Sequence, residues 1–356
     1  MRRFFLFITF VGVIGMYLVY VRGWDSNRLR EETARQIPIP AVQQLISAST
    51  TPIGTRGAGT HWEEATGPDT ARAEAGIANV NGRLLLFGGI DGYGRTLDSM
   101  EIYDSASDTW SRGKLMLQAV HHPGVAVTDQ DVIVAGGLVG INSQPIDQSW
   151  AYSIVNREWR EVARLGDFRG AAAAVSLGNR IYLIGGQTNA GPSNSMEIYD
   201  PARNLWTDGP SMPTARTNLT AFVLGGKIFA VGGTKGGVSG NLDIVEVFNP
   251  ETNKWKLAAP MQVKRSDFAS TVVGDTAYVM GGEASDGTID SIETYDAKKN
   301  AWKTFTLPLP APRHGLKATT VGNRIYTIGG GRRTGFSVSS LNEVLLIATP
   351  TTQKKK

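Results

Sequence analysis

The 356-residue chain contains no cysteine. That absence excludes disulfides, zinc–cysteine sites, thiol nucleophiles and a lipid-modified N-terminal cysteine. It leaves the compartment open, because an oxidising space permits disulfides without requiring them. Histidine is almost as scarce. Four residues, scattered along the sequence, argue against a metal centre, and neither a metal nor a cofactor is expected. A net charge of +4 is too small for a nucleic-acid interface, which needs a basic stripe with interleaved aromatics. What the chain has in quantity is apolar residues, at 41%, and 42 glycines. That balance suits a large core broken by many turns and excludes a disordered chain.

One apolar run stands apart. Arg2 and Arg3 precede an uncharged stretch from Phe4 to Val21, closed by Arg22 and Trp24. Eighteen helical residues at about 1.5 Å each span roughly 27 Å, close to the hydrocarbon core of a bilayer. The run ends on Tyr20, Val21 and Trp24, where a cleavable signal needs small residues. A retained signal-anchor over residues 1–24 is therefore favoured, with secretion after cleavage as the alternative. Arg2 and Arg3 hold the N-terminus in the cytoplasm, so the rest of the chain is expected outside it, periplasmic or at the cell surface. Residues 25–57, with mixed charges and prolines at 38, 40 and 52, read as a flexible tether. Residues 350–356 read as a disordered basic tail.

The glycines are periodic. An apolar run followed by a glycine pair occurs six times: Gly88–Gly89, Gly136–Gly137, Gly185–Gly186, Gly232–Gly233, Gly281–Gly282 and Gly329–Gly330. Successive pairs are separated by a nearly constant period of about 48 residues, too regular for chance. A second series keeps step with them: Trp62, Trp110, Trp159, Trp206, Trp255 and Trp302, each a little over half a period before its glycine pair. A glycine pair after a strand could open a phosphate-binding loop, but no helix follows any of these pairs, as such a loop requires. The glycines are architectural.

Each repeat reads as four strands. In the third they cover about Ala171 to Leu177, Arg180 to Ile184, Ser195 to Tyr199 and Leu205 to Thr207, joined by turn sequences such as Leu177-Gly178-Asn179-Arg180. Four-stranded units of this period stack radially as propeller blades.

The glycine pair, the spaced tryptophan and a third-strand Glu-x-Tyr (Glu197 and Tyr199) together resemble the kelch-repeat family over about residues 60–349. The resemblance implies an all-β, six-bladed propeller, placed over 58–349, and a binding role. The second repeat departs from the pattern, with Trp150 in place of the third-strand glutamate. The last glycine pair has no tryptophan after it and Trp62 has no pair before it. The ring is therefore expected to close by adding the N-terminal strand around residues 61–64 to the last blade.

With strands a to d counted from the axis, the b–c loops and d–a connections share one face. That face holds the variable segments 90–98, 138–148, 187–194, 234–242, 283–290 and 331–340, the mark of a recognition surface on a repeat scaffold. Ten or eleven residues after each tryptophan comes Arg72, Arg169, Arg216, Arg265 or Arg313, with His121 and His122 in the second blade. Two readings compete for these arginines. As structural residues they bond loop carbonyls or a third-strand glutamate. As binding residues they ring the channel mouth and attract an acidic protein segment or an anionic glycan. Glu283 and His314 are the best candidates for proton chemistry. Some kelch-like proteins are sialic acid mutarotases, and a carbohydrate-active enzyme is the alternative to a binding module. The copper radical oxidases of similar fold need a cysteine-modified tyrosine, which this chain cannot form. A monomer is expected.

Overall fold

Six antiparallel four-stranded sheets succeed one another along the chain in the computed structural model, which describes residues 59–348. The expected anchor, tether and basic tail lie outside the described residues. Blade 1 is built from Gly76–Val80, Arg83–Phe87, Met100–Asp104 and Thr109–Arg112, strands a to d in order. Blade 3 follows with Ala173–Leu177, Arg180–Ile184, Met196–Asp200 and Leu205–Gly209. Its first strand starts two residues later than its apolar pattern suggests. The reason is Ala171, which takes a left-handed backbone with φ 50°.

Blade 6 joins Lys317–Val321, Arg324–Ile328 and Asn342–Leu346 to His61–Glu64, the N-terminal strand, as its outer edge. Trp62 pairs with Leu345 in that ladder. The a strands of neighbouring blades pack side by side in a closed ring around the axis.

Each blade is apolar on both faces, so it buries itself only between two neighbours. Six apolar clusters result, one per blade interface. Between blades 3 and 4, for example, Tyr182, Ile184 and Met196 meet Ile228 and Phe248. The tryptophans of strand d tilt against the strand-c aromatic, as Trp206 does on Tyr199 with ring centres 5.0 Å apart. Several also donate their indole N–H to the preceding blade's connection, Trp255 to the Pro210 carbonyl at 2.8 Å.

The glycine pairs tie the blades together. The second glycine's N–H donates to a main-chain carbonyl of the next blade all round the ring, from Gly186 to the Arg216 carbonyl at 2.9 Å and finally from Gly330 to that of Arg72 at 2.8 Å. A Cβ on Gly185 would stand 2.8 Å from the same Arg216 carbonyl, and both glycines have positive φ. Backbone approach this close leaves no room for a side chain.

Candidate functional site on the propeller axis

The d–a connections reach the axis on the b–c loop face. Isolated bridges fix this: Ser266 pairs with Glu283, and His314 with Gly331, the residues that follow the glycine pairs. Five connections share an Arg-x-X register, where X sits in the left-handed region. The six X positions are Glu74, His122, Ala171, Asn218, Asp267 and Gly315, with φ between 50° and 61°. Their backbones form a closed belt. Glu74 N–H donates to Gly315, Gly315 to Asp267, Asp267 to Asn218, Asn218 to Ala171, Ala171 to His122, and His122 back to Glu74, at 2.7 to 3.0 Å.

The five arginines do not line a mouth. Arg72, Arg169, Arg216, Arg265 and Arg313 are 0–2% exposed, among the largest fully buried side chains. Each is paired with the glutamate of its own blade's strand c: Glu101, Glu197, Glu246, Glu293 and Glu343 respectively. Other guanidinium N–H groups bond carbonyls of the same blade. Arg265 donates to Gly281 and Ser291, both at 2.9 Å. The glutamates in turn accept from the connection, as Glu197 does from the Gly166 N–H at 2.7 Å. Burial of both charges is tolerable because the terminal nitrogens of each guanidinium find acceptors. Only Nε goes without a partner, in Arg169, Arg216, Arg265 and Arg313. Of the two readings, the guanidiniums follow the structural one, as interior staples of strand b, strand c and the connection.

Blade 2 breaks the register by substitution. The position ten residues after Trp110 is Val120, fully buried, and it packs in one cluster with Trp150. The charge pair is replaced as a unit by an apolar pair. His121 and His122 therefore occupy the two positions after the arginine site, next to the axis.

Three of the four histidines meet there. His122 Nε2 lies 3.0 Å from Glu74 Oε2, and His314 Nδ1 lies 2.9 Å from Asp267 Oδ2 and 3.4 Å from Glu74 Oε1. His121 Nδ1 is 2.7 Å from His122 Nδ1. Burial pushes Glu74 upward, but His122 and His314 outweigh it and hold the carboxyl well below the usual range. Burial alone would depress His314, yet its hydrogen bonds to Asp267 and Glu74 raise it to about 11. Burial, with His122 beside it, takes His121 down to about 4. Burial and the neighbouring Asp267 and Glu74 carboxylates raise Glu283.

Of the residues singled out from sequence, His121, His122, His314 and Glu283 converge on the axis, whereas the arginines withdraw into the blades. Glu74 and Asp267 were missed. Each stands two residues after a repeat arginine, and that spacing is the signal which locates them.

The profile of the KLHDC2/KLHL20/DRC7 Kelch-repeats domain matches residues 127–330, more than half of the chain, and the Kelch motif matches residues 71–116. The chain belongs to the kelch-repeat family. Kelch-like protein 23 of Homo sapiens is 26% identical over 239 residues, which cover 67% of this chain and 34% of that protein. Kelch-like protein 38 of Rattus norvegicus is 34% identical over 139 residues, 39% of this chain and 23% of that one. The match thus spans about a third or less of these relatives' length. The solved structure of YjhT superposes with a TM-score of 0.70, covering 80% of this chain and 97% of that one, at 14% identity. At that identity the likeness is one of fold. Kelch propellers serve in general as protein-interaction modules, and this chain has the architecture of one.

Proposed function

We propose that this kelch propeller captures an acidic segment of a partner protein on its b–c loop face, over blades 6, 1 and 2. The observation that carries this reading is a cluster of exposed aromatic and cationic side chains on three adjoining loops. Tyr93, Ile141 and Phe336 are 80%, 66% and 63% exposed. Arg95 stacks over the Tyr93 ring at 5.2 Å. Arg332 and Arg333 precede Phe336 in the same loop, both exposed, and neither has an acidic partner within 4 Å among the described residues. The loops adjoin: Gly140 N–H donates to Thr96 Oγ1 at 3.2 Å, and a Cβ on Gly92 would stand 3.4 Å from Val338 Cγ2. Arg95 is paired with Asp91 of its own loop at 2.6 Å, so the cationic pull comes from Arg332 and Arg333. Large exposed apolar groups beside such arginines are the composition of a protein-binding hot spot, and the charge selects for Asp and Glu.

Replacing Arg332, Arg333 and Phe336 together by alanine tests the reading. An array of random short peptides probed with the full chain should return sequences rich in Asp and Glu. The triple variant should bind them at least about tenfold more weakly and with a flatter salt dependence. Selection of uncharged or basic peptides, or of sulfated glycans in a parallel array while acidic peptides are ignored, would end it.

The same reading places the propeller outside the cytoplasm, tethered through residues 4–21. The apolar run supports this. The expected result is a mature chain that keeps Arg2 and stays with membranes after a high-salt wash. A mature N-terminus within residues 20–60 in a soluble fraction would exclude the anchor.

A further inference from the structure

Glu74 and Asp267 occupy belt positions, and His314 stands one residue before one. The fold requires an ionisable group in neither series, since Ala171 is a belt residue and Ala73 and Gly170 stand where His314 does. Ala171 takes the same left-handed conformation at φ 50°, Gly315 at 61°. Yet blades 5, 6 and 1 place Asp267, His314 and Glu74 within contact distance of one another on the axis, all three buried. The carboxylates and imidazoles compensate one another, but apolar residues would fill the same positions without burying charge, so architecture alone gives no reason for this set.

From this geometry we infer that Glu74, Asp267 and His314 form a binding site for one divalent transition-metal ion, of the zinc or manganese class. One oxygen of each carboxylate and one imidazole nitrogen all lie within 4.8 Å of one another. Ligand atoms about 2.1 Å from a common ion stand roughly 3.4 Å apart in a tetrahedral arrangement. The separations of His314 Nδ1 from Asp267 Oδ2 and Glu74 Oε1, 2.9 and 3.4 Å, already approach that spacing. Two carboxylates and an imidazole are a mixed oxygen and nitrogen donor set, which suits these divalent ions better than the hard alkaline-earth ions or thiophilic Cu(I).

The surroundings orient Glu74. His122 Nε2 engages Glu74 Oε2 at 3.0 Å and leaves Oε1 turned to His314, the arrangement in which an outer partner fixes a ligating carboxylate. A Cβ on Gly315 would lie 2.2 Å from Glu74 Oε1, so the carboxylate occupies the space that this missing side chain leaves. A cavity of about 200 Å³, lined by the a strands from Ala75, Pro123 and Phe268 onward, begins at the residues that follow the belt. An imidazole ligates in its neutral form, and the double charge of the ion matches the two carboxylates.

The test uses the full chain stripped with a chelator and titrated with Co²⁺ and Zn²⁺. Cobalt should bind at one ion per chain with visible absorption bands of a nitrogen- and oxygen-ligated site, zinc should displace it, and zinc should raise the melting temperature. Asp267→Asn and His314→Gln should each weaken binding about 100-fold or abolish it, while Asp286→Asn, an exposed acid on the same face, should leave it unchanged. Anomalous scattering from a zinc-soaked crystal locates the ion without any variant, in case those substitutions disturb folding. No cobalt bands with a folded chain, unchanged affinity in the two ligand variants, or an ion found elsewhere would each overturn the site.

Discussion

Arg216→Ala should lower the stability of the propeller by about 3–5 kcal/mol, the range seen when one member of a buried ion pair is removed. Arg216 and Glu246 are both completely buried. After the substitution the Glu246 carboxylate keeps only the Thr214 hydroxyl, which donates to it at 2.8 Å. An uncompensated buried charge, and not the lost attraction, is the larger part of the cost. The melting temperature should drop by more than about 5 °C, taking roughly 2 °C or more per kcal/mol for a domain of this size. Joining Arg216→Met to Glu246→Leu should recover most of the loss, since an apolar pair of similar volume removes both desolvation penalties. The chain contains that replacement already, in Val120 and Trp150 of blade 2. A single variant that melts within a degree of the parent would contradict the staple role.

Removal of the N-terminal strand should have the larger effect. Trp62 is buried in the interface of blades 5 and 6, beside Leu345 and Tyr278. Glu63 bonds Arg324 at 3.0 Å, and the Thr66 carbonyl accepts from the Asn342 amide at 2.9 Å. A chain lacking residues 1–57 keeps all of these. A chain lacking 1–68 loses a whole strand ladder and a buried tryptophan, the latter alone worth about 3–5 kcal/mol. It also exposes the edge of Asn342–Leu346 to other chains. The shorter product should aggregate, or melt at least about 10 °C below the longer one in parallel scans. Coincident melting curves would show that the ring does not depend on this closure.

The blade count, the strands of the third repeat and the N-terminal closure were legible because sterics write them locally. A glycine pair where backbones touch, and a tryptophan where strand d lies on strand c, repeat wherever the same contact repeats. The arginines were readable in position but not in environment. Their spacing from the tryptophan located them, yet their glutamate partners stand more than half a repeat further on, and only the folded blade shows both ends of each pair turned inward. The axial cluster was the least legible part. Glu74, Asp267 and His314 each look like an ordinary polar loop residue in its own repeat. Positions one repeat apart, as Asp267 and His314 are, or four, as Glu74 and Asp267 are, meet only because six connections converge on one axis. The scarcity of histidine, which argues against clustering, is a poor guide for the same reason. In blade 2 residue character matches histidine to arginine, where counting from Trp110 gives Val120.

The belt of six backbone hydrogen bonds has an electrical consequence. All six amides donate in the same rotational sense, so around the closed circuit their tangential dipole components cancel. A helix ends in unsatisfied groups that carry a partial charge. This circuit has no end, and it offers neither a positive nor a negative pole to anything on the axis. At the centre of the ring the in-plane pull of each belt amide on a charge is offset by those across from it. The axial carboxylates depend for their compensation on the imidazoles of His122 and His314 beside them.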